Sequence, residues 1–278
     1  MATSAKVHAV ETSNVNGDWT IVVPRRGKQR RKLPTISSLE EQQQVWVPTD
    51  LESDQDRQSK LMQKMQICLK KVESSQFYHN FVEQIQNQEI LDCFSRVLRS
   101  ELKMETVIYG IGSIELYETP RLQLSLAILM KRKFSWIGDI EVFDPILSVT
   151  ETDVLKALGC SVMSINEQGR RLATKPTLFY MPHCEAELYN NLLQANWGAE
   201  HLNHFVLFGN SFEVYQQYLE FRKSTIVDST NYISVARKFT DEYAIRTASD
   251  EYFAAFHDSS WHFFSPQTEE HLQLFKID

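Results

Sequence analysis

Four short turns hold the residues of this 278-residue chain whose types could do chemistry: Gly110-Ile111-Gly112-Ser113, Asp144-Pro145, Pro182-His183-Cys184 and Gly209-Asn210-Ser211. Together they offer backbone N–H groups, a carboxylate, a titratable imidazole, a thiol and an amide. Such a set suits a small polar ligand or a phosphorylated peptide. Each turn directly follows a run of β-forming residues: Thr106–Tyr109, Ile140–Phe143, Thr177–Met181 and His204–Phe208. Parallel strands present the same end to the same edge of a sheet, and ligands of open α/β sheets sit beyond the carboxyl ends. Gly110, Gly112, Ser113, Asp144, His183, Cys184, Asn210 and Ser211 are therefore the candidate ligand-binding residues, expected to converge on one crevice. Each also has a plainer role, since glycines shape turns, Asp144 and Ser211 can cap helices and Pro182 can end a strand.

Spacing argues against several specific chemistries. A dinucleotide fingerprint needs G-x-G-x-x-G opening a helix, but position 115 is Glu and the helix signal starts only near Pro120. Glu115 and Glu118 would repel a pyrophosphate there, and Asp144 stands too far along the chain to be the ribose-binding acid. Cys184 sits at the start of a predicted helix, where the dipole lowers a thiol pKa, yet Glu185 and Glu187 oppose that effect. A buried structural cysteine is the plainer reading. His183, Cys184, His201 and His204 lack metal-ligand spacing. No cofactor and no metal is expected, and no catalytic residue is assigned.

The elements that carry these turns alternate. After the first strand, Thr119-Pro120 supplies a cap and a first helical residue, with Leu122, Leu126, Leu129 and Met130 inward to about Lys133. Thr150 can cap the next helix, which Gly159 ends before a strand over Ser161–Ile165. Further helices follow from about Glu185 to Ala195 and after Ser211. This alternation predicts an α/β fold: a Rossmann-like, doubly wound, mainly parallel five-stranded sheet. Upstream, Leu61, Met65, Leu69 and Val72, then Phe77, Phe81 and Ile85, and finally Leu91, Phe94, Leu98 and Leu102 fall at helical spacing and predict an N-terminal helical pair. Residues 229–264, rich in aromatics, are expected to form a helical C-terminal extension. The expected organisation is a basic disordered tail over 1–54, a helical lead-in over 55–104 and an α/β domain over 105–278.

Charge separates the tail from the rest. Residues 1–34 carry seven Lys or Arg against two acids, so a chain of net charge −7 holds −12 beyond them. That asymmetry argues against a protein-wide nucleic-acid footprint, and no direct sequence-specific nucleic-acid partner is expected. Arg25, Arg26, Lys28, Arg30, Arg31 and Lys32 place six cations in eight positions, a pattern that a nuclear import receptor can read. Just before them, Trp19–Val23 could add an edge strand or dock on a partner. Four scattered cysteines and an N-terminus without an apolar core suit a reduced, soluble intracellular protein, and no stretch approaches the ~20 apolar residues of a membrane span.

The strings VIYGIGSI, RLQLSLAIL, EVFDPILS, LFYMPHCEAELYNNLL and VLFGNSFEVY, in this order across Thr106–Tyr215, resemble the domain family named after the plant protein "sensitivity to red light reduced". The upstream GDWTIVVPRRGKQRRK resembles its plant members. The resemblance implies a regulator of a circadian-clock input pathway, acting in phytochrome B-dependent and -independent light signalling, in nucleus and cytoplasm, with signalling or regulatory proteins as partners. It brings no established reaction. A non-catalytic binding module is expected, with an enzyme or small-molecule sensor at the four-turn edge as the alternative. The family's characteristic positions fall here on Gly110, Gly112, Gln123, Asp144, Pro145, Pro182, His183, Cys184, Asn210 and Ser211, as motif residues without assigned roles.

Overall fold

Among the described residues, three helices precede the sheet, each started by a polar side chain that accepts from a free backbone N–H. They are α1 (Gln55–Glu73, capped by Asp54), α2 (Gln76–Ile85, by Ser75) and α3 (Gln88–Leu98, by Asn87). A pair was expected; the turns at Ser74-Ser75 and Gln86-Asn87 divide the segment twice. The third stripe is also rotated: Ile90, Cys93, Phe94 and Val97 are the buried set, while Leu102 is 87% exposed beyond the end of α3. The computed structural model describes residues 45–48, 50–52, 54–221, 231–247, 250–266 and 272. All lie in one unit, Gln42–Asp278. The Trp19–Val23 stretch and the basic cluster Arg25–Lys32 lie outside the described residues.

The sheet follows as β1 (Met104–Tyr109), α4 (Glu118–Lys133), β2 (Ile137–Phe143), α5 (Val149–Ala157), β3 (Cys160–Val162), β4 (Thr177–Met181), α6 (Ala186–Ala195), α7 (Ala199–Leu202), β5 (Phe205–Asn210), α8 (Phe212–Phe221), α9 (Asn231–Ala236), β6 (Thr240–Ala244), α10 (Asp250–Phe256) and β7 (Ser259–Phe264). The order across the sheet is β3-β2-β1-β4-β5-β7-β6. The first five strands pair in parallel, and β7 runs antiparallel between β5 and β6. This is a mixed α/β fold with seven strands among the described residues, not five. The two extra strands come from the region expected to be helical. Ser259–Phe264 is buried at every position, so it shows no alternation that would mark a strand, and Thr240–Ala244 is a largely polar edge.

Buried residues alternate between the two faces of the sheet, as a period of two requires. Ile108, Tyr180 and Phe208 pack into one layer with α1–α5 and α10. Val107, Tyr109, Phe179 and Leu207 pack into the other with α6 and α9. The apolar run of α4 is buried without a break from Leu122 to Met130, because that helix lies between the sheet, α1 and α10. Winding reverses between β1 and β4, whose carboxyl ends carry two of the four turns.

Candidate functional site

The glycine turn after β1 is held from below by two carboxylates. Gly112 N donates to Asp144 Oδ2 at 2.8 Å, and Ile146 N donates to Asp144 Oδ1 at 3.0 Å. Ser113 Oγ donates to Glu151 Oε1 at 2.6 Å, and Glu115 N donates to the same oxygen at 2.9 Å. Glu151 Oε2 accepts from Ser148 N at 2.8 Å, closing a capping box on α5. So Ser148, not Thr150, starts that helix. Glu151 is buried and ties the glycine turn to the next crossover. The Ser148-x-x-Glu151 pattern was its visible signal in the sequence.

A second cluster forms where β4, β5 and β7 meet. His183 adopts φ +59° without being glycine, a backbone that costs an L residue about 1–2 kcal/mol. Its N–H donates to Asn210 Oδ1 at 2.7 Å. Asn210 Nδ2 in turn donates to Cys184 O at 3.1 Å and to the Tyr215 hydroxyl at 2.9 Å. Ser211 N donates to Asp258 O at 2.6 Å, and Ser211 Oγ accepts from Val214 N as the cap of α8. The His183 ring lies 4.3 Å from that of His257. Its Nε2 faces His257 O at 3.1 Å and its Nδ1 faces the Gln123 amide nitrogen at 3.5 Å, so the proton sits on Nε2 and Nδ1 accepts. Burial pushes this imidazole below its ordinary pKa, which keeps it neutral.

Cys184 joins the two clusters. Its thiol donates to Tyr109 O at 3.2 Å and lies where a Cβ on Gly110 would come within 2.6 Å of the sulfur. With Gly110 at φ +66°, both backbone and space require glycine there. Burial, then the charges of Asp144 and Glu185, push the thiol far above its ordinary pKa. The thiol is therefore held in its protonated form at neutral pH, packed against Gly110. All four turns thus lie on one edge of the sheet, and the polar atoms of Asp144, Ser113, Asn210 and Ser211 are engaged by neighbouring groups.

Beside this edge a cavity of about 250 Å³ opens over the ends of β1 and β2. Tyr109 and Gly110 line it together with Phe143, Leu188, Glu185 and Glu187. The Tyr109 hydroxyl donates to Glu167, which Arg171 Nη2 also holds, at 3.0 Å. Burial, with the Glu167 contact, pushes the phenol well above its usual pKa. The Tyr189 hydroxyl also accepts from Asn210 N at 3.0 Å. Tyr109, Glu167, Tyr189 and Tyr215 were not singled out by sequence because single polar groups inside apolar or loop runs carry no spacing signal. Among the described residues, no group of three or more His, Cys, Asp or Glu is placed to hold a metal ion, and no helix is long and apolar enough to cross a membrane.

The fold and this edge define a mixed α/β protein with a mostly parallel seven-stranded sheet and a tightly bonded carboxyl edge. The chain belongs to the SRR1 domain family, whose model matches residues 84–263. Protein SENSITIVITY TO RED LIGHT REDUCED 1 of Arabidopsis thaliana is 54% identical over 272 residues, covering 97% of this chain and 98% of that one. An SRR1-like protein of Mus musculus is 42% identical over 116 residues, 39% of this chain and 45% of its own. Among solved structures, the plantazolicin methyltransferase BpumL in complex with SAH matches at a TM-score of 0.29 and 12% identity, over 76% of this chain and 98% of that one. So slight a likeness bears on neither fold nor function.

Proposed function

We propose that this chain is a regulator of red-light signalling that feeds the circadian clock through phytochrome B-dependent and -independent routes. It acts as a non-catalytic, Rossmann-like, doubly wound binding module for signalling or regulatory proteins, in both nucleus and cytoplasm. The observation that carries this reading is the near end-to-end identity with the Arabidopsis thaliana relative, 54% over 97% of the chain. The buried, protonated Cys184 and the neutral His183 support a non-catalytic edge. The basic cluster Arg25–Lys32 supports nuclear import. One observation favours a sensor as the second reading: a cavity of about 250 Å³ opens beside the switch point.

Expression of this chain in Arabidopsis thaliana plants lacking the relative tests the proposal. Seedlings should regain their response to red light. Seedlings that accumulate the protein and still fail to respond would overturn it.

A further inference from the structure

The edge hydrogen bonds leave one concave space unused. The cavity over β1 and β2 has apolar walls from Phe143, Pro145 and Leu188, and its rim carries Gln168, Glu185 and Glu187. We propose that this cavity binds a phosphate-free nucleoside. The proposal rests on reading the carboxyl edge as the ligand-facing side and does not depend on the red-light role.

Place, size and charge point the same way. The cavity adjoins β1, where the winding of the sheet reverses, and sheets of this kind take nucleotides there. Its volume of about 250 Å³ has room for one base and one ribose, and is far too small for a dinucleotide. Phosphates in such sheets are held by a helix N-terminus. Here α6 presents the opposite chemistry. Glu185 occupies its N-cap with no side-chain cap bond, Glu187 lies in its first turn, and both are exposed carboxylates on the cavity rim. They repel a phosphate and accept from sugar hydroxyls, the part an acidic residue plays toward ribose. Asp144 is not free for that part, since both its oxygens hold backbone N–H groups. The apolar walls suit the faces of a base and the Gln168 amide nitrogen its edge, the amide oxygen accepting from Arg170 Nη1 at 2.9 Å.

Titration calorimetry of the full chain with adenosine, guanosine, cytidine and uridine, and with their 5′-monophosphates, tests this. At least one nucleoside should bind saturably with a Kd below about 1 mM. Its monophosphate should bind at least about tenfold more weakly, the scale of one charged contact. Glu185→Lys combined with Glu187→Lys, both on the surface, should reverse that preference while lowering the melting temperature by no more than a few degrees, the lysines opposing the dipole at the start of α6. Binding by none of the four nucleosides would overturn the proposal, as would a monophosphate binding the unaltered chain as tightly as its nucleoside. Restored red-light response in plants alongside a failed titration would remove the nucleoside and leave the regulatory role standing.

Discussion

Replacing Asn210 with Ala removes three side-chain hydrogen bonds at once: from His183 N at 2.7 Å, to Cys184 O at 3.1 Å and to the Tyr215 hydroxyl at 2.9 Å. Each contributes about 1 kcal/mol net, and a partner left unsatisfied in a buried turn costs more. The loss should total about 2–4 kcal/mol, comparable with emptying a core position such as Leu126, which is fully buried. Asn210 also holds His183 at its positive φ. In a His183→Gly background, where that backbone is unstrained, Asn210→Ala should cost at least as much, because no strain is left for the lost bonds to release. Urea unfolding of the two single variants, the pair and Leu126→Ala reads all of these, provided the m-values agree. A cost for Asn210→Ala below about 0.5 kcal/mol, the range of ordinary surface changes, would refute a structural role and return this amide to ligand binding.

Three further outcomes are expected. Glu151→Ala should destabilise the chain by about 2–3 kcal/mol in the same assay, since it frees Ser113, Glu115 N and Ser148 N together. Stability should fall as pH drops below about 6.5, because burial lowers the pKa of both His183 and His262 and the unfolded chain then binds more protons than the folded one. Urea unfolding at a series of pH values should show that slope, reduced in His262→Gln, whose imidazole is fully buried with Glu242 Oε1 3.7 Å from its Nε2. Replacing Arg25, Arg26, Arg30 and Arg31 by Ala should lower the nuclear fraction of the chain carrying a tag too large to diffuse through pores, read by microscopy.

The parallel half of the sheet was legible because its strands are short apolar runs that end in turn residues, as at Tyr109-Gly110 and Met181-Pro182. Parallel pairing then put the four turns on one edge without knowledge of strand order. The antiparallel end was not legible. Ser259–Phe264 is buried at all six positions, so its pattern resembles a core helix as much as a strand, and the polar Thr240–Ala244 resembles a loop. At the site, residue types gave the members but not their bonds. Asp144, the His183-Cys184 pair and Asn210 stand far apart in sequence, and only folding shows that Asn210 bonds His183 and Cys184 while Asp144 bonds Gly112. Glu151 was visible as a capping-box position, but its hold on Ser113 depends on a tertiary approach that no local pattern encodes.

A non-catalytic role is tested most directly by Cys184→Ser in plants lacking the Arabidopsis thaliana relative. Serine retains a donor for Tyr109 O and the close fit against Gly110, and it abolishes any thiol chemistry. The variant should accumulate like the unaltered chain and restore the red-light response to the same degree. A variant that accumulates and unfolds normally yet leaves seedlings unresponsive would contradict the non-catalytic reading and put the Cys184 sulfur at the centre of the function.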